Sequence, residues 1–173
     1  MRPAFIVTAF PKLSETFILN QITGLIDRGH HVDIFASAPS NESVRHHDVE
    51  RYGLAGRTFY FQRGSDELTL PVDKIVRAWR GMGLLVRNFH RGPACLMRSL
   101  NVFRYGREAS SLSLLYKALR FVGRRKYDII HCHFGPNGVT GATLKDIGAV
   151  RAPVITTFHG SDLSKKVRQE GND

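Results

Sequence analysis

The sequence predicts an α/β protein: a parallel sheet of about five strands, covered by helices and carrying a basic helical insert. Three observations point there. Residues 4–35 read as strand, helix, strand, a unit that crosses over right-handed into a parallel sheet. Residues 127–133 return to a strand pattern after the long helical stretch. The short β-branched run Pro153-Val154-Ile155-Thr156-Thr157 has the composition of a strand covered on both faces.

Taken in order, residues 4–10 form the first buried strand, and Pro11-Lys12-Leu13 turns the chain. Ser14 is suited to cap the next helix, with Glu15 in its first turn where the macrodipole favours an acid. Phe17, Ile18, Gln21, Ile22, Leu25 and Ile26 keep helical rhythm, and Arg28-Gly29 ends it. Val32, Ile34 and Phe35 make the second strand. Residues 38–56 are polar and form a surface loop with room for a short helix; residues 58–61 form a third strand. Residues 73–126 are predicted as roughly three helices, broken at Gly92-Pro93 and between Ser110 and Ser113. A helix over residues 136–147 and a last strand opened by Pro153 complete the domain. The polar residues 165–173 begin a further helix.

The chain has 173 residues and a formal net charge of +10, which favours an anionic partner. Its two cysteines, Cys95 and Cys132, sit in no C-x-x-C pattern and are expected as free thiols in a reducing compartment. No stretch approaches a membrane span, and residues 1–10 lack a cleavage site. A cytoplasmic protein is the expectation. Several sites are missing: no G-x-G-x-x-G, no G-x-x-x-x-G-K-[ST] and no G-x-S-x-G. The usual dinucleotide, P-loop and hydrolase chemistries are thereby set aside.

The positive charge concentrates between Lys74 and Lys126, where Glu108 is the only acid. Ile75, Trp79, Met82, Val86 and Phe89 fall on one helical stripe, and Arg77, Arg80, Arg87 and Arg91 fall off it. Two main readings stand. The helix packs on the sheet with its arginines solvated, or it lies on an anionic membrane with Trp79 and Phe89 at the interface and Arg77, Arg80, Arg87 and Arg91 beside them. Nucleic acid is not expected, because no binding motif accompanies the charge.

The segment Thr156-Thr157-Phe158-His159-Gly160-Ser161-Asp162 sets an imidazole, a hydroxyl and a carboxylate directly after a strand. In an open parallel sheet, ligands bind beyond the carboxyl ends of the strands. The plainer reading makes Asp162 a helix cap with Gly160 easing the turn. His131 and His133 share one strand face and Cys132 takes the other. With His159 the two histidines suggest a zinc set in principle, yet no ligand spacing supports it. Their better role is to line the crevice.

Four blocks resemble the amino-terminal half of GT-B-fold glycosyltransferases of family 4, of the bacterial exopolysaccharide and colanic-acid type. They are residues 10–18, residues 28–35, the run Asp128-Ile129-Ile130-His131-Cys132-His133-Phe134-Gly135, and residues 156–162. The resemblance implies a Rossmann-like three-layer domain that holds the acceptor. It implies retaining transfer of a sugar from a nucleotide-sugar, the donor substrate, to a saccharide or polyprenyl-linked acceptor in exopolysaccharide or lipopolysaccharide synthesis, with no cofactor or metal. By position, His159 resembles the family histidine at the donor sugar. Ser14, Glu15, His131, His133, Gly160, Ser161 and Asp162 are expected to bind substrate. The family's nucleotide-binding carboxyl-terminal half has no counterpart in residues 1–173, so inactivity alone is expected, with the chain a fragment, a truncated reading frame or the partner of a separately encoded half. Peripheral attachment to the inner face of the cell membrane is the matching location. The competing functions are a non-enzymatic module that binds anionic membrane and, less favoured, a metal-dependent hydrolase using His131, His133 and His159.

Overall fold

The computed structural model describes residues 1–42, 46–124 and 126–160. Strands β1 (Pro3–Phe10), β2 (Asp33–Pro39), β3 (Thr58–Tyr60), β4 (Ile129–His133) and β5 (Val154–Thr157) form one sheet in the order β3-β2-β1-β4-β5. Every neighbouring pair is parallel. Phe5 registers against Ile34 on one side and His131 on the other. The chain builds outward from β1 in both directions, so a topological switch point lies between β1 and β4.

Helices α1 (Thr16–Asp27) and α2 (His47–Arg51) cover one face. There Phe5, Val7, Ile34 and Ala36 pack with Ile18, Leu19, Ile22 and Val49. The opposite face carries Ala4, Ile6, Phe35, Ile130 and Cys132. It is covered by α4 (Pro93–Arg98), α6 (Ser113–Leu119) and α7 (Gly135–Asp146) through Cys95, Leu114, Ala118 and Leu144. The result is the parallel α/β sheet that the strand pattern predicts, in the three-layer arrangement that the resemblance implies.

Helix α7 reaches its seat through glycine. A Cβ on Gly141 would stand 2.6 Å from Cys132 Sγ, and one on Gly138 would stand 2.6 Å from Thr156 Oγ1. The bare helix face lets α7 sit against β4 and β5.

The start of α1 differs from expectation. A 3-10 turn over Leu13–Glu15 precedes α1, and neither Ser14 nor Glu15 makes a capping side-chain bond. Ser14 is exposed, while Glu15 is buried and bonds Lys12 Nζ at 2.8 Å. Ser14 lies inside that 3-10 turn, and the residue at the cap position of α1 is Glu15.

The insert has four helices rather than three: α3 (Lys74–Asn88), α4, α5 (Val102–Ser110) and α6. The additional break comes where the Asn101 side chain accepts the Arg104 N–H at 3.1 Å and caps α5. Asp73 caps α3, accepting from Ile75 and Val76.

Helix α3 does not pack on the sheet. It forms an outer layer in which Leu84 joins Leu96, Leu115, Tyr116 and Leu119. Its seam is Gly81, Leu84 and Asn88, and a Cβ on Gly81 would come within 3.2 Å of Leu112. Its broad apolar stripe therefore faces solvent. Ile75 is 70% exposed, Trp79 76% and Val86 70%, with Met82 and Phe89 also exposed.

Arginine is used as internal mortar as well as surface charge. Arg120 is 1% exposed and binds Asp66 through both terminal nitrogens, with Tyr60 O and Thr69 Oγ1 as further acceptors. Among the described residues no helix is long and apolar enough to cross a membrane.

Candidate active site at the carboxyl ends of the strands

Strand alternation sends His131 and His133 to the α1 face, and Cys132 to the α7 face, as predicted. His133 is 0% exposed. Its ring stacks on Phe5 with centroids 5.7 Å apart and on His131 at 4.5 Å. His159, two residues beyond β5, lays its ring parallel to that of His133 at 5.4 Å. Nδ1 of His133 and Nε2 of His159 are 3.1 Å apart. Phe17, from the first turn of α1, and Phe134, between β4 and α7, close on the His159 ring at 4.4 and 4.6 Å. His159 is thus half-buried where α1, the β4–α7 turn and the end of β5 converge, beside the switch point.

The supporting contacts are polar and specific. His131 Nε2 lies 2.8 Å from Thr157 Oγ1. Asn137 Nδ2 donates to His133 O at 2.7 Å and to Thr8 Oγ1 at 3.0 Å, tying the first turn of α7 to the ends of β4 and β1. Phe134 adopts φ 71° and ψ 148°, a region costing on the order of 1–3 kcal/mol for a residue with a side chain. The Phe134 N–H donates to Thr157 O at 2.9 Å. That bond and the ring contact with His159 hold the strained turn.

Burial favours the neutral forms of His131 and His133. Burial, then the neighbouring His131 and His159, push His133 down to about 4. Burial, then His159, lowers His131 as well. A neutral imidazole at the end of a strand can orient a hydroxyl without attracting a counter-ion.

The other predicted residues are distributed around this core. Glu15 lines a small cavity with Phe10, Pro11, Leu19 and His46, and its Oε2 is buried without a hydrogen-bond partner among the described residues. Gly160 is exposed directly after His159. Ser161 and Asp162, with the capping role expected of Asp162, lie outside the described residues. No group of three or more His, Cys, Asp or Glu among the described residues is arranged to hold a metal.

Of the stripe and its neighbours, Trp79 and Phe89 face solvent. Arg77 turns inward to the carbonyls of Pro71, Val72 and Ser111. Arg80 reaches Asp66 O at 3.4 Å, Arg87 pairs with Glu67, and Arg91 bonds Asn88 Oδ1 at 3.2 Å.

Sequence reasoning missed Phe17 and Asn137. Phe17 was assigned to the helical rhythm of α1, and its exposure at the first turn is visible only in three dimensions. Asn137 had a usable signal: it is an amide in the first turn of a helix that starts where a strand ends, and the structure buries it.

Proteins named for colanic acid biosynthesis glycosyltransferase WcaL, from Salmonella typhimurium and Escherichia coli, are each 36% identical to the chain over 166 residues. The amylovoran biosynthesis glycosyltransferase AmsK of Erwinia amylovora is 32% identical over 171 residues. Each match covers 96% of this chain, and the chain spans 39% of the length of each relative. No solved structure matches the chain. Residues 14–172, which include every element from α1 onward and the histidine stack, match the family described as Glycosyltransferase Family 4, and the chain belongs to that family.

Proposed function

We propose that this chain is the acceptor-side domain of a retaining glycosyltransferase of surface polysaccharide synthesis. The observation that carries the reading is His159, held on buried His133 at the switch-point end of the sheet. A nucleotide-sugar is the donor, and a saccharide or polyprenyl-linked glycan the acceptor. The nucleotide is gripped by a second half, so transfer requires that half as well as this one. His159 contacts the donor sugar, orienting a hydroxyl and stabilising charge as the glycosidic bond loosens. His131, His133, Ser14 and Glu15, with Gly160, Ser161 and Asp162 after His159, shape the acceptor side of the crevice.

The test is transfer from UDP- and GDP-sugars by this chain together with the nucleotide-binding half. His159→Ala is expected to lower kcat about a hundredfold, the scale of losing one preorganised donor. Undiminished transfer by that variant rejects the assignment.

A second reading follows from the outward stripe of α3. The chain docks on the anionic inner face of the cell membrane, with Ile75, Trp79, Met82, Val86 and Phe89 toward the lipid and the basic insert toward the headgroups. Docking brings a lipid-linked acceptor to the crevice. Co-sedimentation that ignores both anionic lipid content and salt excludes it.

A further inference from the structure

At the other end of the sheet, away from the histidine stack, the chain forms a cavity of about 890 Å³. It opens where the segments before β4 and β5 meet the turns after α3 and α7. Its apolar floor includes Cys95, Phe121 and Ile147. Its rim carries Arg91, Arg98, Arg124, Lys126 and Arg151, with Asp128 as the acid among the lining residues.

Charge is left uncompensated here. Several cations outside the cavity are matched by acids, Asp33 for Arg2, Asp66 for Arg120, Asp146 for Arg104 and Glu108 for Lys117, and Arg98 is within coulombic reach of Asp146. None of the five rim cations has an acid within ion-pair distance among the described residues. Asp128 is engaged by the backbone N–H of Arg2 at 2.6 Å. Arg124 lies over the Phe59 ring at 3.9 Å, and the Arg98 guanidinium lies beside the Gly148 turn. Like charges around one concavity repel, and low-dielectric walls focus their field on the space between them. Arginine forks match the oxygens of phosphate groups.

We infer that this cavity is a binding site for a phosphate or diphosphate group, distinct from the sugar-transfer crevice. It stands independently of the proposed function, because the two sites lie at opposite ends of the strands. The phosphate belongs either to a soluble anion or to a lipid headgroup. The same chemistry serves both, and the exposed apolar stripe of α3 ends at Phe89, two residues before Arg91 on the rim.

Calorimetric titration of the protein with inorganic pyrophosphate at low ionic strength tests the inference. The parent is compared with Arg98→Ser/Arg151→Ser and with a control, Arg51→Ser/Arg107→Ser, which removes two exposed cations away from the cavity. All three are confirmed to melt alike. The rim variant is expected to bind pyrophosphate at least about tenfold more weakly than the parent, with the control unchanged. A parallel arm measures co-sedimentation with phosphatidylcholine vesicles with and without phosphatidylglycerol. If the rim variant also loses its preference for phosphatidylglycerol, the phosphate is a headgroup; if it keeps that preference while losing pyrophosphate, the ligand is soluble. Equal affinity of all three proteins for pyrophosphate, or equal loss in the rim variant and the control, overturns the inference.

Discussion

Nδ1 of His133 stands 3.1 Å from Nε2 of His159, and the remaining nitrogen of His133, Nε2, is buried with no hydrogen-bond partner among the described residues. An N–H stranded in hydrocarbon is costlier than a stranded lone pair. The proton of neutral His133 therefore sits on Nδ1 and is donated to His159 Nε2, which fixes the tautomer of His159. Long-range nitrogen NMR of the imidazoles is expected to show neutral His133 protonated at Nδ1 and, in the neutral form of His159, the proton on Nδ1 rather than Nε2. His133→Phe is expected to release the second pattern. A neutral His159 with its proton on Nε2 in the parent contradicts this arrangement.

The same burial makes stability depend on pH. His133 is held at about 4 in the fold, against about 6.5 in an unfolded chain. Between those values the unfolded state binds the extra proton, so stability is fully present above about 6.5 and falls as pH drops toward 4. The loss from this group amounts to about 3 kcal/mol. Denaturant unfolding at pH 7 and pH 5 is expected to show the decline, and His133→Phe to flatten it.

Helix α7 gives a contrast between two glycines. Gly141→Ala places a methyl 2.6 Å from Cys132 Sγ and 3.0 Å from Val154 Cγ1, and is expected to destabilise by about 1–3 kcal/mol. Gly83→Ala, in the interior of α3 with nothing within 4 Å of the new methyl, is expected to stabilise by about 0.5–1 kcal/mol. Thermal melts of the two variants should move in opposite directions.

Arg120 and Asp66 are unequal partners. Arg120 is buried, whereas the Asp66 side chain is 47% exposed. Burial raises the Asp66 carboxyl, but hydrogen bonding and attraction from Arg120 override it and hold the carboxyl below its usual range. Asp66→Ala leaves a buried guanidinium without its counter-ion and is expected to cost about 3–5 kcal/mol. Arg120→Met fills the space without charge and leaves Asp66 able to reach water, so a smaller loss is expected. Equilibrium unfolding of both variants checks the order.

Trp79 is the only tryptophan and projects from the α3 stripe. Its emission is expected to be that of a water-exposed indole in buffer and to shift blue on phosphatidylglycerol vesicles. High salt is expected to weaken the shift, because screening removes the attraction of the basic insert. Emission unchanged by anionic vesicles removes α3 from the lipid contact.

Much of this domain can be read along the chain. β-branched runs and turn residues mark the five strands, and two-residue alternation places His131 with His133 and opposite Cys132 before any coordinates are seen. The position of His159 after β5 is equally local. Periodicity tells which side chains share a face; it does not tell which face another element will cover. The stripe of Ile75, Trp79 and Val86 has the pattern of a core face, yet α4 and α6 occupy the sheet and leave α3 only the seam of Gly81 and Leu84. Tertiary packing likewise decides that Arg120 is interior, that Phe17 closes on His159, and that cations distant in sequence, from Arg91 to Arg151, ring one cavity. Each depends on elements far apart in the chain meeting in space, and a local pattern carries no record of that meeting.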